Sequence, residues 1–245
     1  MIVIPMLGRS SRFFRAGYSL PKYELPIGGE TVFDYVIRSF EPYFETDEFF
    51  FGVREDFHAY EFVSQKLKER GISEFQIFEF DRETEGQASS VWEILKLSEV
   101  LSEKPEAELL VFNADTFLTR FQIEPPELAG DGYLEVFRGE GDHWSFVKPT
   151  GDGNRVLRTA EKLRISDLCS NGLYYFRSVE IYGRGYEELV RTDDRTNGEF
   201  YIAPMYNHLI RLGMDIRYKL VQEDDSVFCG TPAEYEHLVD GLDAL

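Results

Sequence analysis

Four short apolar segments punctuate the first half of the chain, at residues 2–6, 48–53, 75–80 and 109–112. They are rich in Ile, Val, Leu and Phe, which is typical of strands that are buried on both faces. The first segment ends near Gly8, where a strand can lead into a tight turn. This pattern predicts four buried strands of a parallel sheet.

Amphipathic segments lie between these apolar runs. After Thr31, a residue suited to an N-cap, apolar side chains follow at helical spacing through Phe40. A second segment, from residue 57 to Gly71, has the same spacing and ends at a glycine, and residues 89–101 form a third. Strands that alternate with helices predict an α/β fold, with a mainly parallel sheet and helices on both faces.

The pattern changes after residue 130. Four β-type segments follow, at residues 132–137, 144–148, 155–159 and 172–176, with turn sequences such as Gly151-Asp-Gly-Asn between them. Short turns between such segments predict hairpins and not helical crossovers. The second half of the chain is therefore expected to be rich in antiparallel strands.

The remaining periodicity predicts helices and one further strand. The predicted helices cover residues 179–189, residues 199–212 and the segment from Pro232, and the strand covers residues 216–221. No Pro/Gly/Ser-rich linker separates the two halves. We therefore predict one domain over residues 1–245, with a first half over 1–130 and a β-rich second half over 131–245.

Charge narrows the class of ligand. Lys and Arg total 26 against 45 Asp and Glu, which gives a formal net charge of −19 at pH 7. Because this charge repels nucleic acid and anionic membranes, we expect neither as a partner, and an anionic ligand must meet a local pocket of basic residues. Without a basic leader or a long apolar segment, the chain is expected to be cytoplasmic, with no membrane insertion. Cys169 and Cys229 are expected to be reduced core thiols.

The first candidate site is Gly8-Arg9-Ser10-Ser11-Arg12-Phe13, followed by Lys22. A glycine turn after a strand can direct backbone N–H groups at phosphate oxygens, and Arg and Lys supply the charge that a polyphosphate requires. The segment lacks the Gly-Lys-Ser/Thr ending of a P-loop and the Gly-x-Gly-x-x-Gly pattern of dinucleotide sites. On these residues alone, a phosphate cradle and a solvated turn both stay open.

The second candidate site is Asn113-Ala-Asp115, at the end of the fourth predicted strand. A carboxylate at the carboxyl edge of a parallel sheet is well placed to hold Mg²⁺ that bridges phosphates. Strand-end aspartates also serve as helix N-caps or turn residues. Position alone does not separate these two interpretations.

Together these segments resemble the nucleotidylyltransferase family, whose members join a nucleoside triphosphate to a phosphorylated sugar or a similar small phosphate. The motifs that carry the resemblance are Ile4-Pro-Met-Leu-Gly8-Arg-Ser-Ser-Arg12-Phe, Pro21-Lys22, Pro26-Ile-Gly-Gly-Glu-Thr-Val-Phe, Glu85-Gly86-Gln87-Ala88, Asn113-Ala-Asp115, Glu161-Lys162, Ser170-Asn-Gly172-Leu-Tyr-Tyr-Phe and Gly230-Thr-Pro232. Asp131-Gly-Tyr-Leu-Glu-Val-Phe and Trp144-Ser-Phe-Val are most similar to the capsule and cell-surface polysaccharide branch. The resemblance implies a Rossmann-like nucleotide-diphospho-sugar transferase fold with a β-rich acceptor side.

The resemblance also implies a role for each matching residue. Arg12, Lys22 and Asp115 are the expected catalytic residues. Nucleotide contacts are expected in the half 1–130, from Met6, Leu7, Gly8, Arg9, Ser10, Ser11, Gly86 and Gln87. Acceptor contacts are expected in the half 131–245, from Glu161, Lys162, Asn171, Gly172 and Glu199. Trp144 and Tyr174 are candidates to stack on an acceptor, although aromatic residues in strands more often belong to the core.

The metal site departs from the family pattern. Asp115 matches the first expected Mg²⁺ ligand, but the position two residues before Gly230, where the family commonly places a second Asp, is Phe228. Asp224, Asp225 and Glu199 are the alternative second ligands. Mg²⁺ also retains water readily, so Asp115 and the phosphates alone are a further alternative.

The expected reaction transfers a nucleoside monophosphate to the acceptor phosphate and releases pyrophosphate, with CTP preferred over UTP or dTTP. The product would be an activated precursor for capsule or cell-surface polysaccharide. Two alternatives are a glycosyltransferase of related fold that consumes a nucleotide-sugar, and a protein that binds a nucleotide without turning it over. A homo-oligomer is compatible with the sequence.

Overall fold

The structure is a computed structural model that describes residues 1–243. Within this range the strands are β1 (Ile2–Pro5), β2 (Pro26–Ile27), β3 (Glu30–Thr31), β4 (Phe49–Arg54), β5 (Phe75–Phe80), β6 (Leu109–Phe112), β7 (Thr116–Leu118), β8 (Gly132–Arg138), β9 (Ser145–Pro149), β10 (Val156–Glu161), β11 (Leu168–Phe176), β12 (Ile216–Leu220) and β13 (Ser226–Phe228). The α-helices are α1 (Ser11–Arg15), α2 (Val32–Arg38), α3 (Ala59–Glu69), α4 (Gln87–Leu97), α5 (Val100–Glu103), α6 (Pro126–Ala129), α7 (Val179–Arg191), α8 (Ile202–Arg211) and α9 (Pro232–Asp243).

A nine-stranded mixed sheet forms the centre of the molecule. Strands β5, β4, β1 and β6 lie side by side and run parallel, and β11 then pairs with β6 in the antiparallel direction. This arrangement confirms the predicted α/β class with a mainly parallel sheet flanked by helices. Because β11 belongs to the second half of the chain and β6 to the first, one sheet runs through both predicted halves.

The parallel strands are apolar on both faces because each face meets a separate hydrophobic cluster. Along β1, Ile2 and Ile4 pack into one cluster and Val3 into the other, and all three side chains are fully buried. On the neighbouring β4, Phe49 and Phe50 divide between the clusters in the same way. Removal of this apolar surface from water is the main stabilising contribution to the sheet.

The second half of the chain forms the antiparallel part of the sheet. β9 and β10 form a hairpin, β8 pairs antiparallel with β11, and β12 returns parallel to β8. The strand predicted at residues 172–176 begins earlier, at Leu168. Every residue of this strand, β11, is buried.

Three predicted elements differ from the structure. The helix predicted over residues 89–101 is divided into α4 and α5 by Glu99, whose φ of 61° interrupts the helical path. The helix predicted from residue 199 begins at Ile202. The candidate phosphate loop is partly helical, since Ser11 begins the short helix α1. None of the helices in the described part of the chain is long and apolar enough to cross a membrane.

Candidate functional site

A cleft of about 950 Å³ opens at the carboxyl ends of β1 and β6, and both halves of the chain contribute to its walls. Most of the residues selected from the sequence line it. These are Met6, Leu7, Gly8, Arg9, Ser11, Arg12, Lys22, Gly86, Gln87, Asp115, Glu161, Lys162, Asn171, Gly172 and Glu199. The topology therefore gathers segments that are widely separated along the chain.

An ion pair between Lys22 and Asp115 joins the two candidate sites. The Lys22 Nζ lies 2.5 Å from the Asp115 Oδ2, and each side chain is about one-fifth exposed. Asp115 follows β6, and its backbone carbonyl accepts a hydrogen bond from the Cys229 N–H at 2.8 Å. Lys22 follows Pro21 at the start of a short 3₁₀ turn. The pair places one cation and one carboxylate at the same point of the cleft.

Ser10 lies outside the cleft lining, and its contact with a nucleotide stays a prediction. Its hydroxyl accepts a hydrogen bond from the Lys22 backbone N–H at 3.0 Å, and the residue is buried. Ser10 therefore holds the Lys22 turn against the N-terminal loop. Its effect on the site acts through the position of Lys22.

The two arginines of the N-terminal loop are exposed. Arg9 pairs with Glu83, an equally exposed residue on the opposite loop, so this contact contributes little to stability. Within residues 1–243, Arg12 forms no ion pair. Arg12 lines the cleft, and the planar guanidinium of an exposed arginine is suited to bidentate contact with phosphate.

The loop before α4 is held in place by backbone contacts. Phe200 N–H donates to the Glu85 carbonyl at 2.7 Å, and Ala88 N–H donates to the Phe200 carbonyl at 2.9 Å. Gly86 has a φ of 121°, and a Cβ at this position would lie 2.7 Å from the Phe200 backbone. The glycine is therefore required for the packing of the loop, independently of any ligand.

Gln87 connects this loop to the strand end that carries Asp115. Its Nε2 donates to the Asn113 Oδ1 at 2.6 Å. Asn113 in turn packs against Gly172, where a Cβ would lie 2.2 Å from the Asn113 side chain. The three residues therefore connect the loop before α4, the end of β6 and the strand β11.

The acceptor side carries Glu161 and Lys162, the last residue of β10 and its successor. The Ser145 hydroxyl donates to the Glu161 carboxylate. Burial raises the pKa of Glu161, while this hydrogen bond and Lys162 act in the opposite direction. The Lys162 Nζ donates to the Tyr201 hydroxyl at 2.5 Å and lies 4.4 Å from the centroid of that ring. The cleft thus has a partly buried carboxylate and an exposed cation at neighbouring positions.

Asn171 borders the cleft, but its side chain serves the protein interior. Its Nδ2 donates to the Glu135 Oε1 at 2.8 Å and to the Ser226 hydroxyl at 3.0 Å, and its Oδ1 accepts from the Leu173 N–H. The residue is 2% exposed. Burial raises the pKa of Glu135, its main partner. Asn171 therefore acts on the site by connecting β8, β11 and β13.

The candidate second metal ligands fall in different places. Asp225 lies outside the cleft lining, where its carboxylate pairs with Arg120 at 2.7 Å and accepts a hydrogen bond from the Gln222 N–H, and its role as a ligand stays a prediction. Asp224, in the same 3₁₀ turn, is also outside the lining. Glu199 lines the cleft near Tyr201, whose pKa is raised by burial and then by this carboxylate.

Asp115 is therefore the clearest metal donor in the cleft. No group of three His, Cys, Asp or Glu side chains suited to a metal occurs in the part of the chain that the structure describes. Mg²⁺ is commonly held by one or two carboxylates with substrate phosphates and water, so the donor set fits a metal that arrives with a nucleotide. It does not fit a metal bound by the protein alone.

The cleft is not the basic pocket that the overall charge led us to expect. Its cationic side chains are Arg9, Arg12, Lys22, Lys162 and Arg195. Its carboxylates are Glu83, Glu85, Asp115, Glu161, Glu199 and Glu234. Because these charges nearly balance, a polyphosphate would be attracted by the local position of Arg12 and Lys22 and not by the cleft as a whole.

Several residues that line the cleft were not selected from the sequence. Arg195 pairs with Glu85 at 2.8 Å and lies 3.8 Å from the centroid of the Phe200 ring. Glu234 accepts a hydrogen bond from the Thr231 N–H in the first turn of α9. Arg195 belongs to none of the motifs, and only tertiary packing brings it to the cleft. For Glu234, the adjoining Gly230-Thr-Pro232 motif was an available signal.

Comparison with known proteins identifies structural relatives. No protein-family model matches the chain, and no curated protein matches it. The nucleoside-diphosphate-sugar pyrophosphorylase from Vibrio cholerae RC9 is 45% identical, with a TM-score of 0.90, over 98% of this chain and 100% of that chain.

More distant relatives share the fold. A protein from Bacillus anthracis assigned as a glucose-1-phosphate thymidylyltransferase has a TM-score of 0.77 at 16% identity. The match covers 100% of this chain and 95% of that chain. The inositol-1-phosphate CTP transferase from T. maritima has a TM-score of 0.71 at 14% identity, over 99% of this chain and 95% of its own. Since identity to the V. cholerae protein is 45% over nearly the full length of both chains, this chain belongs to the nucleoside-diphosphate-sugar pyrophosphorylase, or nucleotidyltransferase, family.

Proposed function

We propose that this protein is a Mg²⁺-dependent nucleotidylyltransferase that transfers a nucleoside monophosphate from a nucleoside triphosphate to a phosphorylated sugar or similar small phosphate. The observation that carries the proposal is the Lys22–Asp115 pair in a cleft that Arg12 also lines. The full-length relative named as a nucleoside-diphosphate-sugar pyrophosphorylase supports the same reaction class.

In this reaction an oxygen of the acceptor phosphate attacks the α-phosphorus in line. A new P–O bond forms, the bond between the α-phosphorus and its bridging oxygen breaks, and pyrophosphate departs with the electron pair. The acceptor phosphate is already ionised near pH 7, so no general base is required. The barrier falls chiefly through positioning and charge neutralisation.

Each residue of the site has a task in this scheme. Arg12 binds the triphosphate with its planar fork, and Lys22 places a compact charge near the α-phosphate. Lys162 holds the acceptor phosphate, and Asp115 would hold Mg²⁺, which proteins commonly bind through one or two carboxylates and substrate phosphates. When bound, Mg²⁺ supplies further neutralisation of phosphate charge. Lys22 would then exchange its contact with Asp115 for one with the nucleotide.

The donor and the biological role form the finer part of the proposal. We propose CTP as the donor and an activated precursor of capsule or cell-surface polysaccharide as the product, on the basis of the family resemblance. The protein would act in the cytoplasm as one domain, with nucleotide contacts in residues 1–130 and acceptor contacts in residues 131–245.

A substrate screen tests the proposal. The wild-type protein is incubated with Mg²⁺, one of several nucleoside triphosphates and a panel of phosphorylated acceptors, and pyrophosphate is measured. We expect release that requires both substrates, highest with CTP. Consumption of a nucleotide-sugar without pyrophosphate would instead indicate a glycosyltransferase. Triphosphate binding without release under any combination would indicate a non-catalytic nucleotide-binding protein.

A further inference from the structure

A buried polar network centred on Asn171 joins the strands β8, β11 and β13. The Asn171 Nδ2 donates to the Glu135 Oε1 at 2.8 Å and to the Ser226 hydroxyl at 3.0 Å. All three residues are almost fully buried, and Glu135 and Ser226 both lie outside the cleft lining. We call Glu135, Asn171 and Ser226 the buried bridge.

The buried bridge occupies a β-bulge. Residues 171–173 of β11 lie opposite the single β8 residue Glu135, because the register of the two strands shifts between Ser170 and Tyr174. Bulges interrupt the regular ladder and redirect side chains, and they are frequent next to active sites. Gly172, the middle residue, has a φ of 92°, a conformation that favours glycine. The bulge thus lets a side chain of β11 reach across to Glu135.

One route of contacts leads from the buried bridge to Asp115. Ser226 begins β13, which pairs antiparallel with β7, and β7 itself begins at Thr116, next to Asp115. At the other end of β13, the Cys229 N–H donates to the Asp115 carbonyl at 2.8 Å. Because β13 is bonded both to β7 and to Asp115, the position of Ser226 sets the position of the Asp115 backbone.

A second route leads to Asn113, two residues before Asp115. Gly172 follows Asn171 and lies so close to Asn113 that a Cβ on the glycine would be 2.2 Å from the Asn113 Nδ2. The Asn113 Oδ1 accepts a hydrogen bond from the Gln87 Nε2. The buried bridge therefore contacts the strand end that carries Asp115 from two directions.

Stability alone does not account for the buried bridge. The Glu135 side chain is 3% exposed, and its Oε2 forms no hydrogen bond of suitable geometry within residues 1–243. Its counter-charge is the Lys219 Nζ, 3.1 Å from this oxygen. Removal of two charges from water is costly, and apolar residues of similar volume often stabilise a fold as well as a buried ion pair does. The arrangement is better explained by what it holds in place.

We propose that Glu135 and Ser226 are positioning residues that act through Asn171 and hold Asp115 at the point of the cleft where it would meet Mg²⁺; this rests on the proposed function. Both side chains lie outside the cleft lining, so their effect on the site is transmitted by β11 and β13 and not by contact with a substrate. Replacement of groups that orient a metal ligand typically lowers metal affinity or activity by about 10- to 100-fold.

Nucleotide affinity with and without Mg²⁺ tests the proposal without relying on turnover. Calorimetry measures binding of the unreactive α,β-methylene analogue of the triphosphate that the wild-type protein turns over fastest. For Ser226→Ala, we expect the gain in affinity that Mg²⁺ provides to fall on the order of tenfold. Affinity without Mg²⁺ should stay within about twofold, and Ser226→Thr, which keeps the hydroxyl, should restore the gain.

Ser178→Ala is the matched control. Ser178 is as buried as Ser226, lies outside the cleft lining, and its hydroxyl accepts from the Ile181 N–H at the start of α7. Its loss should lower the free energy of unfolding, measured with denaturant, without changing the gain from Mg²⁺. An unchanged gain in Ser226→Ala, or an equal loss in Ser178→Ala, would overturn the inference.

A double variant tests whether Glu135 and Ser226 act along one path. Glu135→Leu removes the acceptor of Asn171, while Lys219 keeps its hydrogen bond to the Gln122 carbonyl. If both residues act through Asn171, the losses of Glu135→Leu and Ser226→Ala should not multiply when the changes are combined. Losses that multiply fully would contradict a shared path.

Pyrophosphate release separates this inference from the proposed function. Turnover by the wild-type protein together with an unchanged Ser226→Ala variant would overturn the inference and leave the proposed function intact. Absence of release with every triphosphate and acceptor would overturn the proposed function, and the positioning role with it.

Discussion

Two walls of the cleft, at residues 8–22 and at residues 144–174, hold their polar side chains in different ways, and we propose that the first is the nucleotide side and the second the acceptor side. On the nucleotide side, Arg9 and Arg12 are exposed, and Lys22 has one carboxylate partner. On the acceptor side, Asn171 and Tyr174 are 2% and 3% exposed and lie within hydrogen-bond networks. The first wall therefore presents exposed cationic side chains, whereas buried hydrogen bonds hold Asn171 and Tyr174 of the second wall in fixed positions.

Asp115 belongs between the two walls, and its replacement is expected to have the largest effect. Asp115→Asn keeps the size of the side chain but removes the charge that would hold Mg²⁺. We expect kcat/KM to fall on the order of 10²- to 10³-fold, similar to loss of a single oxyanion-hole donor. Pyrophosphate release over a range of Mg²⁺ concentrations measures this. Asp225→Asn, outside the cleft, is the control and should retain activity within twofold; the reverse ranking would mean that another carboxylate holds the metal.

Arg12→Ala tests whether the nucleotide-side wall binds the triphosphate. Loss of a charge-assisted hydrogen bond costs about 1.5–3 kcal/mol, so we expect KM for the triphosphate to rise on the order of tenfold or more. KM for the acceptor should change little. Arg15→Ala removes a neighbouring exposed arginine of α1 whose Nε donates to the Ser11 carbonyl, and should leave both values unchanged. A similar rise for the acceptor would show that Arg12 serves both walls.

Two glycines that line the cleft are expected to differ in their contribution to the stability of the protein. A Cβ at Gly8 meets nothing within 4 Å, whereas at Gly86 it would lie 2.7 Å from the Phe200 backbone at a φ of 121°. Gly86→Ala is therefore expected to lower the free energy of unfolding by about 1–3 kcal/mol, and Gly8→Ala to leave it nearly unchanged. Denaturant unfolding measures both. Equal stability of the two variants would contradict the packing role assigned to Gly86.

Replacement of Glu161 is expected to have the smallest effect, a change in how the melting temperature depends on pH. Burial raises the pKa of Glu161 in the folded protein above its value in the unfolded chain, which is near 4.3. The stability that the protonated side chain contributes is therefore lost as pH rises from the unfolded pKa through the folded pKa. Glu161→Gln has no such loss. The melting temperature of the variant should therefore rise relative to wild type between pH 4.5 and 7.

Glu188→Gln is the control, because the stability that Glu188 contributes is expected to change with pH in the opposite direction. The hydrogen bond from Arg191 lowers the pKa of Glu188, so its carboxylate stabilises the protein as pH rises. The melting temperature of this variant should therefore fall relative to wild type as pH rises toward the unfolded pKa, near 4.3, and the difference should stay constant between pH 4.5 and 7. A Glu161→Gln difference that is independent of pH would show that Glu161 is not held in a buried environment.

Much of the first half could be predicted from sequence, because its apolar runs and helical spacings are strong local signals. β5 and β6 match their predicted limits, and Thr31 caps α2 as expected, with Asp34 completing a capping box. The break at Glu99 could not be predicted, since the apolar spacing continues across it. Its conformation depends on how α5 packs in the folded protein.

The site was predictable in its motifs but not in its contacts. The Lys22–Asp115 pair spans 93 positions, and only the adjacency of β1 and β6 brings its members together. Phe228 was visible in the sequence as a departure from the expected aspartate. Its packing with Trp144 depends on the β7–β13 pairing, whose short strands give little local signal. Sequence therefore identified the residue types, and tertiary structure determined which of them act together.

The central claim is that the Lys22–Asp115 pair belongs to the catalytic site of a nucleotidylyltransferase, and Lys22→Ala tests it most directly. The measurement is kcat/KM for pyrophosphate release, compared with Lys104→Ala, which removes a lysine paired with Glu48 outside the cleft. We predict a fall on the order of 10²- to 10³-fold for Lys22→Ala and a change of less than twofold for Lys104→Ala. Full turnover by Lys22→Ala would contradict the account.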